Sequence, residues 1–178
     1  MKKLAIFLAL IISPMLVSAQ SLFDKYEDIN DVTSVVVTKN MFKLLGQMEI
    51  ESDDPEVKEY LKMVNSLDNI KVFMTEDESI GASMRADFDK HIEGNAQLEE
   101  LMRIKEDGKF VKFYFKPGKT ENMVSELLMF MDGDLEEKDG TVVMSITGNI
   151  DLKQISKLTK ELNIPGSKEL ENVEKNRK

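Results

Sequence analysis

Asp107-Gly108 sits between LMRIKE and KFVKFYF, two stretches of strand-like composition. An Asp-Gly pair in that setting is the strongest short-range signal for a β-hairpin. Phe110 to Phe115 is aromatic and β-branched, and Pro117-Gly118 stops it. LLMFM from Leu127 and TVVMSIT from Thr141 then read as two further strands, with Gly148 closing the second. Four strands in succession, joined by turns too short to hold crossover helices, confine the second half of the chain to an antiparallel meander.

The first half is organised differently. Phe23 to Ile29 reads as a short helix or arm leading into DVTSVVVT, where Val32, Val35, Val36 and Val37 form a β-branched run. Such a run suits a central strand covered on both faces. In KNMFKLLGQM, Met41, Leu44, Leu45 and Met48 recur at i, i+3, i+4 and i+7, the spacing of one helix face. Asp54-Pro55 is a helix start, and Val57, Tyr60, Leu61, Val64 and Leu67 continue it as one stripe. NIKVFMTE alternates Ile70, Val72 and Met74 against Lys71, Phe73 and Thr75, a second strand. Ile80, Met84, Phe88 and Ile92, four apart, specify another helix that Gly94 can end. Near the C-terminus, Asp151 as N-cap with Gln154 at N3, flanked by Ile150 and Ile155, forms a variant capping box with its staple. That pattern predicts a last helix carrying Leu152, Ile155, Leu158 and Leu162, ended by Pro165-Gly166.

Residues 1–19 read as a signal peptide. Lys2 and Lys3 form a positive n-region, Leu4 to Ile12 is unbroken apolar sequence, Pro14 breaks it, and Val17-Ser18-Ala19 offers a cleavage site before Gln20. The apolar run is too short for a permanent transmembrane anchor, so no such anchor is expected after cleavage. Residues 20–165 are expected to form a single α+β domain and residues 166–178 a polar tail. The chain has no cysteine, so an exported domain of this kind must be stabilised by its core rather than by disulfides. A basic leader on a disulfide-free chain points to a bacterial periplasm or envelope. Without Lys2 and Lys3 the 24 basic residues fall to 22, against 33 acidic ones, a net charge of −11. So acidic a chain repels phosphate backbones, and nucleic acid is not an expected partner.

The most suggestive motif is DGDLEEKDG, which places Asp132, Asp134, Glu136, Glu137 and Asp139 between two apolar runs. Counted as a calcium loop from Asp132, it has Glu137 where the bend requires glycine and Val143 where the late bidentate glutamate belongs. It is therefore expected to be the solvated end of a hairpin, and no metal ligands are assigned. His91 is the only histidine and falls near the end of its helix, where a surface or capping role is expected. No Gly-x-Ser-x-Gly elbow, P-loop or Gly-x-Gly-x-x-Gly pattern occurs, so no catalytic or cofactor-binding residue is assigned and no cofactor is expected. Ten of the 12 methionines follow the leader, and most occupy positions that periodicity makes apolar. They are expected to fill the core, the alternative being a soft groove for an apolar ligand or a partner.

FDKYEDINDVTSVVVTKNMFKLL, LMRIKEDGKFVKFYF and VVMSITGNIDLKQISKL together resemble the family known as domain of unknown function 4252, over about Phe23 to Leu162. The resemblance implies an exported or lipid-anchored envelope protein of Bacteroidota-type bacteria. This chain departs from the lipid-anchored members in lacking the anchoring cysteine. The family brings no activity, cofactor or catalytic residue.

The expected architecture is thus α+β, an antiparallel-rich sheet of about six strands with helices packed mainly on one face. The expected function is a non-enzymatic binding or interaction module of the cell envelope, its partner an envelope protein or an apolar small ligand. Alternatives are a structural or stress-linked envelope factor acting through a protein complex, and a hydrolase whose site assembles only in three dimensions.

Overall fold

The computed structural model describes residues 23–47, 55–106, 108–120, 123–134 and 138–151. The leader, the Asp107 half of the Asp-Gly turn, Asp54, and everything from Leu152 onward, including the capped last helix, lie outside the described residues. Among the described residues a 3-10 turn at Asp24–Tyr26 precedes six strands and three helices. In chain order these are β1 (Thr33–Thr38), α1 (Lys39–Gln47), α2 (Pro55–Ser66), β2 (Leu67–Thr75), α3 (Glu78–Glu93), β3 (Glu99–Glu106), β4 (Lys109–Pro117), β5 (Met123–Asp134) and β6 (Asp139–Asp151). The strands form one antiparallel sheet in the order β1-β2-β6-β5-β4-β3. The class is α+β, and the meander β3-β4-β5-β6 stands as the turn chemistry demands. β2 then docks against β6, the last strand, rather than against β3.

Alternation along the strands divides the side chains between two faces. Ile70, Val72, Val111, Phe113, Leu127, Met129, Val142, Met144 and Ile146 build one core, completed by Phe42 of α1 and Met63 and Val64 of α2. The register confirms the shared face, since Val72 lies opposite Met144, Met144 opposite Met129 and Met129 opposite Phe113. The other face sets Phe73, Leu128, Phe130 and Val143 against Met84 and Phe88 of α3, with Phe23 and Tyr26 from the 3-10 turn. Two of the three helices therefore share a face and the third closes the opposite one. The Phe88 ring lies 5.3 Å from Phe130, 5.9 Å from Tyr114 and 6.4 Å from Phe23, within the range where aromatic quadrupoles attract.

α3 starts where the Asp77 carboxylate accepts the Ile80 N–H at 2.9 Å, and it ends at Gly94, as read from the sequence. Met84 and Phe88 are fully buried, with Ile80 and Ile92 packed beside them.

Three expectations change. Gly148 does not close the last strand. With φ at +145°, it carries β6 through an irregularity, where Leu67 pairs with Gly148 and Asn69 with Thr147, and pairing with β5 resumes at Ile150 and Val124. A Cβ there would come within 2.5 Å of the Ser66 carbonyl oxygen, so both the backbone angle and the close approach call for glycine. Asp151 is accordingly the last residue of β6, opposite Met123.

The second change is at β1, which is an edge strand and not a central one. Val35 is 49% exposed, and Val36 and Val37 are only partly buried. The third concerns α1. Its inward residues are Phe42 and Leu45, whereas Met41 and Leu44, placed on the inner stripe by their spacing, are 48% and 61% exposed. Phe42, Leu45 and Gly46 make a competing i, i+3, i+4 stripe. Packing prefers it because Gly46 lets the Asn65 side chain of α2 approach to where a Cβ would stand.

Candidate functional site

Two places on the described surface combine accessibility with a distinctive chemistry. The first is an acid-lined cavity of about 240 Å³ at the end of the sheet where β2, β5 and β6 meet the start of α3. Thr75, Asp77, Glu78, Arg85, Asp132, Asp139 and Thr141 contribute to its walls. Gly81 brings α3 down onto the sheet here, for a Cβ at that position would lie 2.5 Å from the Thr141 hydroxyl oxygen. DGDLEEKDG thus spans more than a solvated turn. Asp132, Gly133 and Asp134 pair with Thr141, Gly140 and Asp139, so both strands run into the motif.

Thr75, Asp77, Arg85, Asp132 and Thr141 are occupied with holding the cavity together. Asp132 accepts the Thr141 hydroxyl at 2.9 Å and pairs with the Arg85 guanidinium, tying β5, β6 and α3 together. Arg85 in turn lies 4.9 Å above the Phe130 ring and 5.6 Å above Phe110, so its stem and charge are both supported. Asp77 caps α3, and its own N–H donates to the Thr75 hydroxyl at 3.1 Å. That hydroxyl donates onward to the Asp31 carbonyl at 2.8 Å. Beside the cavity, Lys138 reaches Glu76 at 2.9 Å. Among the described residues no group of three or more carboxylate or histidine side chains gathers as a metal-holding set. The chemistry of this cleft is that of a cap and an ion pair between secondary elements.

His91 lies elsewhere, in the last turn of α3, and it is half-buried rather than on the surface. Its ring meets the Phe23 ring edge-on at 6.1 Å, and Nε2 is buried without a hydrogen-bond partner, 4.0 Å from Glu126 Oε1. That separation exceeds a hydrogen bond. The hydroxyls of Ser34, Ser66, Ser83 and Ser125 donate to backbone carbonyls, so none of these four is held as a nucleophile by the imidazole. A nearby polar cluster stitches the N-terminal turn to α3. Tyr26 donates its phenol hydrogen to Asp87, which Lys25 also contacts. Burial, then the bond to Asp87, pushes the Tyr26 phenol well above its usual range. Burial opposes ionisation of Asp87, but the bonds from Lys25 and Tyr26 prevail and hold its carboxyl below the usual carboxylate range.

The second place is the outer edge of β1. TSVVVT carries no charge and no proline, and β2 pairs it on one side only. Val35 stands on the same face of the sheet as α1, because it lies opposite Val72, a member of the α1–α2 core. Counting 100° per residue, Met41 and Leu44 lie 140° and 200° around α1 from Gly46, the residue that faces α2. They therefore project on the side of α1 away from α2. Val35, Met41 and Leu44 are the large apolar side chains exposed among the described residues, one on the edge strand and two on the helix that directly follows it.

The sequence profile of the family described as domain of unknown function (DUF4252) matches residues 26–158. The chain belongs to that family. No curated protein and no solved structure matches the chain. The DUF4252 span takes in all six strands and the three helices, so the sheet, the cavity and the β1 edge all lie within the family's own segment. The family description attaches no chemistry to the DUF4252 segment, and the site must be argued from its side chains.

Proposed function

We propose that this DUF4252 protein is a non-enzymatic interaction module of the bacterial cell envelope, acting through protein contacts at the β1 edge. The observation that carries the reading is the exposure of Val35, Met41 and Leu44, on β1 and on the helix that follows it, beside an uncharged strand edge that no strand among the described residues pairs. Unpaired backbone groups beside apolar side chains are what an added strand or a packed partner satisfies. The envelope address rests on Lys2-Lys3, the Leu4–Ile12 run and the Val17-Ser18-Ala19 site. No helix among the described residues is long and apolar enough to cross a membrane.

An apolar small ligand is the weaker occupant. The methionines that could have lined a soft groove, Met63, Met84, Met129, Met131 and Met144, are packed within the two cores. A hydrolase built on His91 draws no support from the Glu126 separation or the serine geometry described above. A stress-linked factor working through a complex would use the same β1 surface.

Photo-crosslinking in intact cells tests the reading. A photoreactive residue in place of Leu44 should give discrete protein adducts, whereas the same residue in place of Arg103, on the far edge, should not. Absence of adducts at Leu44, or equal labelling at both edges, removes the interaction reading. Intact-mass analysis of the exported chain should begin at Gln20; a chain retained in the cytoplasm with Met1 intact would remove the envelope address.

A further inference from the structure

We infer that the partner of the β1 edge is a second copy of this chain, paired antiparallel through β1 about a two-fold axis to make one continuous twelve-stranded sheet. The inference rests on the interaction reading above and names its partner.

The two sheet edges are built for opposite ends. β3, the far edge, is EELMRIKE, in which Glu99, Glu100, Arg103, Lys105 and Glu106 guard the strand with charge. Charged residues along an edge are the ordinary defence against pairing with another chain. β1 has no such guard in its six residues.

Charge placement then selects the occupant. The chain entering β1 is acidic, with Glu27, Asp28 and Asp31 exposed, and the chain leaving it is basic, with Lys39 and Lys43 exposed. An antiparallel copy sets the acidic end of each strand beside the basic end of the other. Centring the axis on Val35 puts Thr33 opposite Val37 of the second copy and brings Asp31 toward Lys39 of the second copy. Lys39 is already paired with Asp68 within its own chain, but both side chains are at least half exposed, so the pair can be shared. A parallel arrangement would set acid against acid and lysine against lysine, in a molecule whose net charge is already −9.

The helix completes the fit. A two-fold axis perpendicular to the sheet keeps both copies of α1 on the same face, one on each side of the seam. Val35 meets its own counterpart at the centre, and Met41 and Leu44 from each copy close over the pair. An isologous contact of this kind uses the same patch twice and terminates, so it yields a closed dimer rather than a filament.

Sedimentation equilibrium on the exported chain, purified from the envelope of expressing cells and studied up to about 100 μM, decides the matter. The unaltered protein should be a dimer. Val35→Lys and Leu44→Glu should each raise the dimer dissociation constant at least about tenfold, with far-UV circular dichroism and melting unchanged. Leu44 is mostly exposed, so its variant carries the test even if the strand variant folds poorly. Asp31→Lys should weaken pairing, and the double exchange Asp31→Lys with Lys39→Asp should restore part of it. A monomer at every concentration, or a dimer untouched by both apolar variants, overturns the inference. Discrete adducts to a different protein at Leu44, with a monomeric chain, would overturn self-pairing while leaving the interaction reading intact.

Discussion

The two faces of the sheet do the same job with different materials. The face beneath α1 and α2 is aliphatic and methionine-rich, and its strand positions from Ile70 to Ile146 are apolar without interruption. The face beneath α3 is aromatic and repeatedly interrupted by polar groups, with Lys71 paired to Asp24, Lys112 to Asp89 and Arg85 to Asp132 around Phe73, Phe88 and Phe130. Both exclude water at their centres. The second ties the chain's N-terminal turn and its longest described helix to the sheet with charges, so that layer should respond to pH.

The largest effects should not distinguish the faces. Phe113→Ala on the aliphatic face and Phe130→Ala on the aromatic face should each cost about 3–5 kcal/mol in urea unfolding, since both rings are fully buried. The faces separate if Phe130→Leu costs more than Phe113→Leu, because Phe130 also supports the Arg85 guanidinium. Equal losses would mean that the ion pair contributes nothing to that layer. Gly81→Ala, which drives a Cβ against Thr141 on the aromatic side, should cost about 1–3 kcal/mol and loosen α3 first, as read by hydrogen exchange. Asp77→Ala, which removes the cap of the same helix, should cost about 1 kcal/mol.

The smallest effect is the most discriminating. The Asp87 carboxyl titrates lower in the folded chain than in the unfolded one, so its stabilisation is complete above about pH 4 and is lost as the pH falls through its lowered value. Asp87→Asn should therefore be less stable than the unaltered chain at pH 7, and the difference should shrink in acid. Tyr26, pushed upward, stabilises fully below about pH 10 and loses that contribution as the pH rises further. Met129→Leu, on the aliphatic face, should leave both limbs of the pH profile in place. A pH profile unchanged by Asp87→Asn would break the contrast.

Much of this was legible in the residues. The spacing of Ile80, Met84, Phe88 and Ile92, with Gly94 after, located α3 because periodicity and the C-terminal stop are local properties, whereas the Asp77 cap is seen only in the fold. The alternation of Ile70, Val72 and Met74 showed one face of β2, and the Asp-Gly pair located the β3–β4 hairpin. The candidate site was not legible. Val35 reads as core by its neighbours, and Met41 and Leu44 share the spacing of a buried stripe. β-branched composition reports fit to a pleated surface and does not tell an edge from a centre. In α1 two apolar stripes overlap, and only Asn65, 19 positions beyond Gly46, shows which one faces inward.

The sequence by itself thus determined the elements, the meander and the antiparallel class, because turn residues and side-chain period act within a few residues of themselves. Tertiary structure decided that β6 inserts between β2 and β5, that Lys71, Lys112 and Arg85 find acidic partners around the aromatic core, and that β1 is left at the rim. Those outcomes depend on which distant segment occupies each neighbouring position, and exposure is a property of what is absent beside a residue, which its own chemistry does not record.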